Sequence, residues 1–187
     1  MSKLLEMDKD ITKVPGIYVA VDYNYNASFI LDKIAKDLKI VPDNGPGEDK
    51  DYKYHTTIIY SRFPIPLTKT NPKWRLTNFH TKSGSTIFKK SKPKISVPVK
   101  IIGFGFFDTP DGRNLHVEVS SPFLSHEFRR AVDFGLPTDF PIYKAHITLK
   151  NDVSNDFKIP KEIEQKYKGT ILYTNDEYIE LLKEKNK

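Results

Sequence analysis

"KYHTTI" at 53–58 and "KAHITL" at 144–149 share the frame Lys-x-His-x-Thr-aliphatic. The chain has five histidines, and two of them stand in this frame, about half a chain apart. Both stretches read as strands, rich in β-branched and aromatic residues. Successive side chains of a strand point to opposite faces. Lys53, His55 and Thr57 therefore project together, as do Lys144, His146 and Thr148. Tyr54, Thr56, Ile58 and Tyr60 take the other face, as do Ala145, Ile147 and Leu149. The remaining histidines, in "HTK", "HVE" and "HEF", are His80, His116 and His126. They lack the frame and read as surface or structural residues.

The rest of the chain describes the scaffold of these two strands. "GIYVAVDY" (16–23) is a strand, and Tyr18 shares its parity with Ala20 and Asp22. Ile30, Ile34 and Leu38 then make a helix stripe, with Asn26 as the expected N-cap. "YHTTIIYS" (54–61) is the first motif strand. From about 62 to 94 periodicity is lost among prolines and lysines, which reads as a basic loop insertion with at most one short strand, near 76–79. "KISVPVKIIGFGFF" (94–107) is a long strand bent at Pro98 or Gly103. "TPDG" turns it into "NLHVEVS" (114–120), a hairpin partner. Ser121 and Pro122 open a helix as N-cap and first residue, with Leu124, Phe128 and Ala131 inward. "IYKAHITLK" (142–150) is the second motif strand. A short helix at 160–167 ends at Gly169, a strand "TILYT" follows, and the tail from 177 is strand or helix. Each motif strand follows a helix that itself follows a strand. That order predicts an α+β fold of two related lobes.

With 187 residues the chain is expected to form one domain, 1–187, large enough for a real core. The net charge of +6 suits an anionic partner. There is no cysteine, which excludes disulfides, thiolate catalysis and cysteine-ligated zinc. The N-terminal residues carry charges throughout and no apolar core, unlike a signal peptide. The most apolar run, "IIGFGFF", is far too short to span a bilayer. A soluble cytoplasmic protein without a membrane partner is the expectation.

Two imidazoles facing one another across a groove suit phosphoryl transfer. One, neutral, takes a proton from the attacking oxygen, and the other, protonated, gives one to the leaving oxygen. The Thr57 and Thr148 hydroxyls would donate to non-bridging phosphate oxygens, and Lys144 would add positive charge. Metal binding is the rival, but it needs three or four converging ligands. Neither motif strand places a second His or a carboxylate on the His face, so no metal or cofactor is expected. Tyr18 points toward the groove and reads as a substrate contact. Trp74, the only tryptophan, lies in the polar stretch "NPKWRL". There it either stacks on a base or pins the loop to the core. Lys82, Lys89, Lys90, Lys92 and Lys94 read as a solvated basic loop.

Two HxT motifs on strands half a chain apart resemble the 2H phosphoesterases, a superfamily that includes cyclic phosphodiesterases acting on RNA ends. The resemblance implies a bilobal fold, two pseudo-symmetric antiparallel sheets with flanking helices around a central groove. It also implies metal-free phosphodiester chemistry with His55, Thr57, His146 and Thr148 as the catalytic quartet. "GIYVAVDY" and the pair Glu177-Tyr178 are similar to the phage anti-CBASS phosphodiesterases, a branch that destroys cyclic oligonucleotide signals. That likeness implies Glu177 as a substrate contact and the host cytoplasm as location. The aromatic residue such a pattern carries shortly after the Glu-Tyr pair is absent from "IELLKEKNK". The leading expectation is hydrolysis of 3′,5′ bonds in a cyclic di- or trinucleotide by attack of a ribose 2′-hydroxyl. The alternatives are a 2′,3′-cyclic phosphodiesterase acting on RNA ends, and a non-catalytic cyclic nucleotide sponge or RNA-binding module.

Overall fold

β1 (Ile17–Tyr23) buries Ile17, Val19, Val21 and Tyr23 and leaves Tyr18 and Asp22 half-buried on its other face. This is the parity expected of it. The computed structural model describes residues 16–43, 54–63, 79–82, 85–88, 96–110, 112–133 and 137–182, and within these the side chains of 79–82, 85–88, 176 and 178–181 are not described. The chain turns straight into α1 (Tyr25–Asp37), capped by Asn24, whose side chain accepts from the Ala27 amide at 2.9 Å. The sequence put this cap at Asn26. The earlier start turns Ala27, Leu31, Ile34 and Ala35 into the core and leaves Ile30 only half-buried.

β2 (His55–Ser61) pairs antiparallel with β1. Val19 is opposite Ile59 and Ala20 opposite Thr57, so Ile58 is the extra residue of a bulge. Ile58 and Ile59 are both buried as a result. Beyond the bulge the alternation is reversed. Tyr60, expected on the apolar face, instead shares the face of Tyr18 and Thr57 and meets the Tyr18 ring edge-on at 6.3 Å.

β3 (Phe79–Lys82) and β4 (Ser85–Phe88) form a separate hairpin inside the region read as loop. β5 (Pro98–Thr109) and β6 (Gly112–Ser120) form the long hairpin around "TPDG". Gly112 has φ +130°, a conformation only glycine adopts without strain. β5 begins at Pro98, and its irregularity lies between Ile101 and Gly103. α2 (Pro122–Asp133) buries Leu124 and Ala131, while Phe128 is half-buried and stacks on Tyr143 at 4.7 Å. The Ser121 hydroxyl donates to the Pro98 carbonyl at 3.0 Å and so ties the helix start to β5.

β7 (His146–Lys150) is shorter than the strand read at 142–150. Residues 137–145 are held instead at the end of β2. The Asp139 amide donates to the Tyr60 carbonyl at 3.0 Å, and the Arg62 amide donates to the Asp139 carboxylate at 3.2 Å. α3 (Lys161–Tyr167) ends at Gly169, with φ +92°. The undecided tail continues as strand, making β8 (Ile171–Leu181).

Among the described residues the result is a mixed α+β fold of three helices and a six-stranded antiparallel sheet in the order β2-β1-β8-β5-β6-β7. Two sheets were the sequence expectation. β8 joins the strands into one, because residues 171–173 pair with β5 and residues 174–181 pair with β1. The two motif strands are the outer strands of this order. They nevertheless approach within 8 Å between Cα atoms, so the ends of the sheet turn toward each other. Among the described residues, no helix is long and apolar enough to cross a membrane.

Candidate active site

The groove between β2 and β7 is built from alternation. On β2, Thr56 and Ile58 are buried while His55 and Thr57 stay half-buried. On β7, Ile147 and Leu149 are buried while His146 and Thr148 stay half-buried. The apolar positions anchor each strand in the core, and the polar ones are left on the open face. The structure brings Thr57, Lys144, His146 and Thr148 to the wall of one cavity of about 530 Å³.

On the β2 side, the Thr57 hydroxyl donates to the Tyr18 hydroxyl at 3.4 Å, and the Tyr18 ring meets the His55 ring edge-on at 5.9 Å. On the β7 side, His146 Nδ1 lies 2.8 Å from the Lys144 carbonyl. A carbonyl only accepts, so Nδ1 carries the hydrogen, and Nε2 is the nitrogen left for proton exchange. Burial pushes the His146 pKa down, the bond to the Lys144 carbonyl opposes this, and the charge of His55 lowers it again. A charge on His55 thus disfavours a second proton on His146. A pair that resists being doubly charged separates into one neutral and one charged member.

Lys144 is exposed, just ahead of β7. Glu177 lies half-buried on β8 in register with Val21, and it does not line the cavity. Lys53, Trp74, Lys89, Lys90, Lys92 and Lys94 fall outside the described residues. Among the described residues, no three His, Asp or Glu side chains converge as metal ligands would.

Sequence reasoning missed part of the site. His116, read as surface or structural, is 2% exposed on β6 and stands in register with Thr148. Its ring stacks on Phe107 at 4.0 Å and meets the His146 ring at 5.3 Å; Phe107 in turn touches His146 at 4.7 Å. Burial pushes the His116 pKa down to about 4, and the neighbouring His146 adds to the effect. The ring fits because Gly105, its cross-strand partner on β5, has no side chain: a Cβ there would sit 2.8 Å from His116 Nε2. The hairpin at "TPDG" announced β5 beside β6, but nothing in the sequence said that β7 would be the other neighbour of β6. Tyr60 was missed as well, because the bulge at Ile58 breaks the alternation used to choose a face; Arg62 and Phe140 lie outside the strands, where alternation says nothing.

Three phage proteins named Anti-CBASS protein Acb1 are similar to this chain along most of its length. The Salmonella phage S16 protein is 25% identical over 158 residues, covering 82% of this chain and 86% of its own. The Enterobacteria phage T4 protein is 28% identical over 160 residues, with the same two coverages, 82% and 86%. The Escherichia phage RB16 protein is 27% identical over 152 residues, covering 81% of this chain and 72% of its own. The family model described as Anti-CBASS protein Acb1 matches residues 15–187, nearly the whole chain. The chain therefore belongs to the Anti-CBASS protein Acb1 family.

Proposed function

We propose that this protein is a metal-independent phosphodiesterase that opens 3′,5′ bonds of cyclic di- or trinucleotides and thereby counters CBASS defence in the host cytoplasm. The observation that carries this reading is the pairing of two HxT strands from opposite ends of the sheet across one groove. The strand registers support a bilobal, pseudo-symmetric reading of the 2H kind. In one half His55 stands opposite Asp22 and Thr57 opposite Ala20; in the other His146 stands opposite Glu118 and Thr148 opposite His116.

His146 is the base of the first step, because burial keeps its imidazole neutral and its Nε2 holds the lone pair. Nε2 takes the proton of the ribose 2′-hydroxyl. The 2′-oxygen attacks the adjacent phosphorus as the bond from phosphorus to the 5′-oxygen breaks. His55, protonated, gives its proton to that departing oxygen. The product is a linear nucleotide with a 2′,3′-cyclic phosphate. In the second step the roles reverse: neutral His55 takes a proton from water as the water oxygen attacks the phosphorus, the bond from phosphorus to the ribose 2′-oxygen breaks, and protonated His146 gives its proton to that oxygen. Thr57 and Thr148 donate to the non-bridging oxygens, where charge grows in the transition state. Lys144 adds a cation at the cavity wall. The attached nucleophile is worth about 7–11 kcal/mol of barrier where the geometry is good, so acid, base and hydroxyls suffice from the protein.

A cavity of about 530 Å³ has room for a nucleotide-sized ligand. The test is a cyclic dinucleotide made with ribose or with 2′-deoxyribose at the scissile position, beside an RNA ending in a 2′,3′-cyclic phosphate, all followed by chromatography. Opening of the ribose ring alone is the expected result. Equal opening of the deoxy ring would remove the internal nucleophile. Cleavage confined to the RNA end would select the alternative substrate, and tight binding without turnover would leave a sponge.

A further inference from the structure

The aromatic row of the groove does not stop at the histidines. His55 and Tyr18 are 5.9 Å apart between ring centroids, Tyr18 and Tyr60 6.3 Å, and Tyr60 and Phe140 6.3 Å. Phe140 closes the row on the segment before β7, with 60% of its surface exposed. The exposed Arg62 guanidinium lies over the Tyr60 ring at 5.6 Å, and its Nε donates to the Tyr60 hydroxyl at 2.7 Å. Tyr60, Arg62 and Phe140 all line the cavity that Thr57, His146 and Thr148 also line. One continuous space therefore joins Thr57 of the first motif and His146 and Thr148 of the second to an exposed aromatic face beside a fixed cation.

A large apolar ring left exposed inside a cavity costs hydration unless a ligand covers it. The segment that carries it is anchored: Asp139 is bonded to both the Tyr60 carbonyl and the Arg62 amide, which holds Phe140 at the cavity wall. Resting on the cyclic-nucleotide reading, we propose that Phe140 and Arg62 form a second nucleotide subsite, for the unit across the ring from the scissile phosphate. Phe140 stacks on that unit's base, and Arg62 donates to its phosphate. Every base has a π-face, so this subsite accepts purines and pyrimidines alike. It separates cyclic dinucleotides from mononucleotides by size and charge rather than by base identity.

The test is calorimetric titration in a His146→Ala background, which measures binding without turnover. The probes are a 3′,3′-linked cyclic di-adenosine monophosphate and adenosine 2′,3′-cyclic monophosphate. Stacking on one aromatic changes base affinity by about 5- to 150-fold. Phe140→Ala is expected to weaken the dinucleotide about 10-fold or more, and at least 5-fold more than the mononucleotide. Phe140→Trp restores affinity, which separates lost stacking from a disturbed loop. Arg62→Gln weakens the dinucleotide more strongly at low salt than at high salt. Equal weakening of the two probes by Phe140→Ala, or no weakening of the dinucleotide, overturns the subsite. Wild-type protein that binds the dinucleotide through Phe140 but does not cut it overturns the catalytic reading and leaves the subsite standing. Failure to bind the dinucleotide at all overturns both.

Discussion

Acidification should destabilise this protein through one residue that the proposed chemistry does not use. His116 is 2% exposed, and burial lowers its pKa from 6.5 to about 4. The Glu118 carboxylate, 4.0 Å from His116 Nε2, would favour the charged ring, but it is half-exposed and screened by water, so burial dominates. As pH falls through 6.5, the unfolded chain takes up a proton on His116 that the folded chain refuses until about 4. In that window folding stability drops by about 1.4 kcal/mol per pH unit. Between pH 7 and pH 5 the loss from this group comes to about 2 kcal/mol. That is a large part of a typical total of about 5–15 kcal/mol, and for a chain of this size it lowers the melting temperature by about 4–8 °C. Above pH 6.5 both states are neutral and the contribution vanishes.

The assay is urea denaturation at pH 7 and pH 5 for the wild type and His116→Gln. The glutamine does not titrate, so the quantity of interest is each protein's own loss between the two pH values. The variant's absolute stability carries the separate cost of a buried amide. His146, whose pKa burial also lowers, remains in both proteins, so only its coupling to His116 differs between them. His116→Gln is expected to lose about 2 kcal/mol less than the wild type. Equal losses would show that the proton on His116 costs nothing in the fold, and the packing argument around Phe107 and Gly105 would fall with it.

His55→Ala and His146→Ala should each fold and each lose about 10²–10⁴-fold or more in turnover, while the double variant loses far less than the product, because the pair acts as a unit; single-turnover rates check this. Thr57→Val and Thr148→Val should each weaken transition-state binding by about 1.5–3 kcal/mol, read from kcat/KM; two valine variants at full activity would take the hydroxyls off the phosphate. Turnover should survive EDTA and follow a bell-shaped pH profile, since one imidazole must be neutral and one charged; recovery that requires added metal after chelation would place the chemistry in another class.

How much of the groove could be read from the chain follows from what each kind of residue reports. Alternation at 55–58 and 146–149 is a local property, set by the backbone of one strand, so the half-buried histidines and threonines could be placed on one face in advance. The same rule failed at Tyr60, because a bulge is a property of two strands: the slip at Ile58 exists only once β1 is the partner. Helix ends behaved likewise. Asn24 and Asn26 are equally good caps in isolation, and the choice between them is made by which start turns Ala27 and Leu31 onto the sheet. The long strand β8 was undecided beyond residue 177, because its second half becomes a strand through pairing with β1 at the far end of the sequence. His116 is the same case with a chemical consequence. Its burial requires β6 between β5 and β7, a glycine at 105 on one side and the motif strand on the other. The doubled motif told which side chains share the open face of each strand. The neighbours that set their protonation, their packing and the reach of the cavity come from strand order, which a single sequence carries only in its pairing energies.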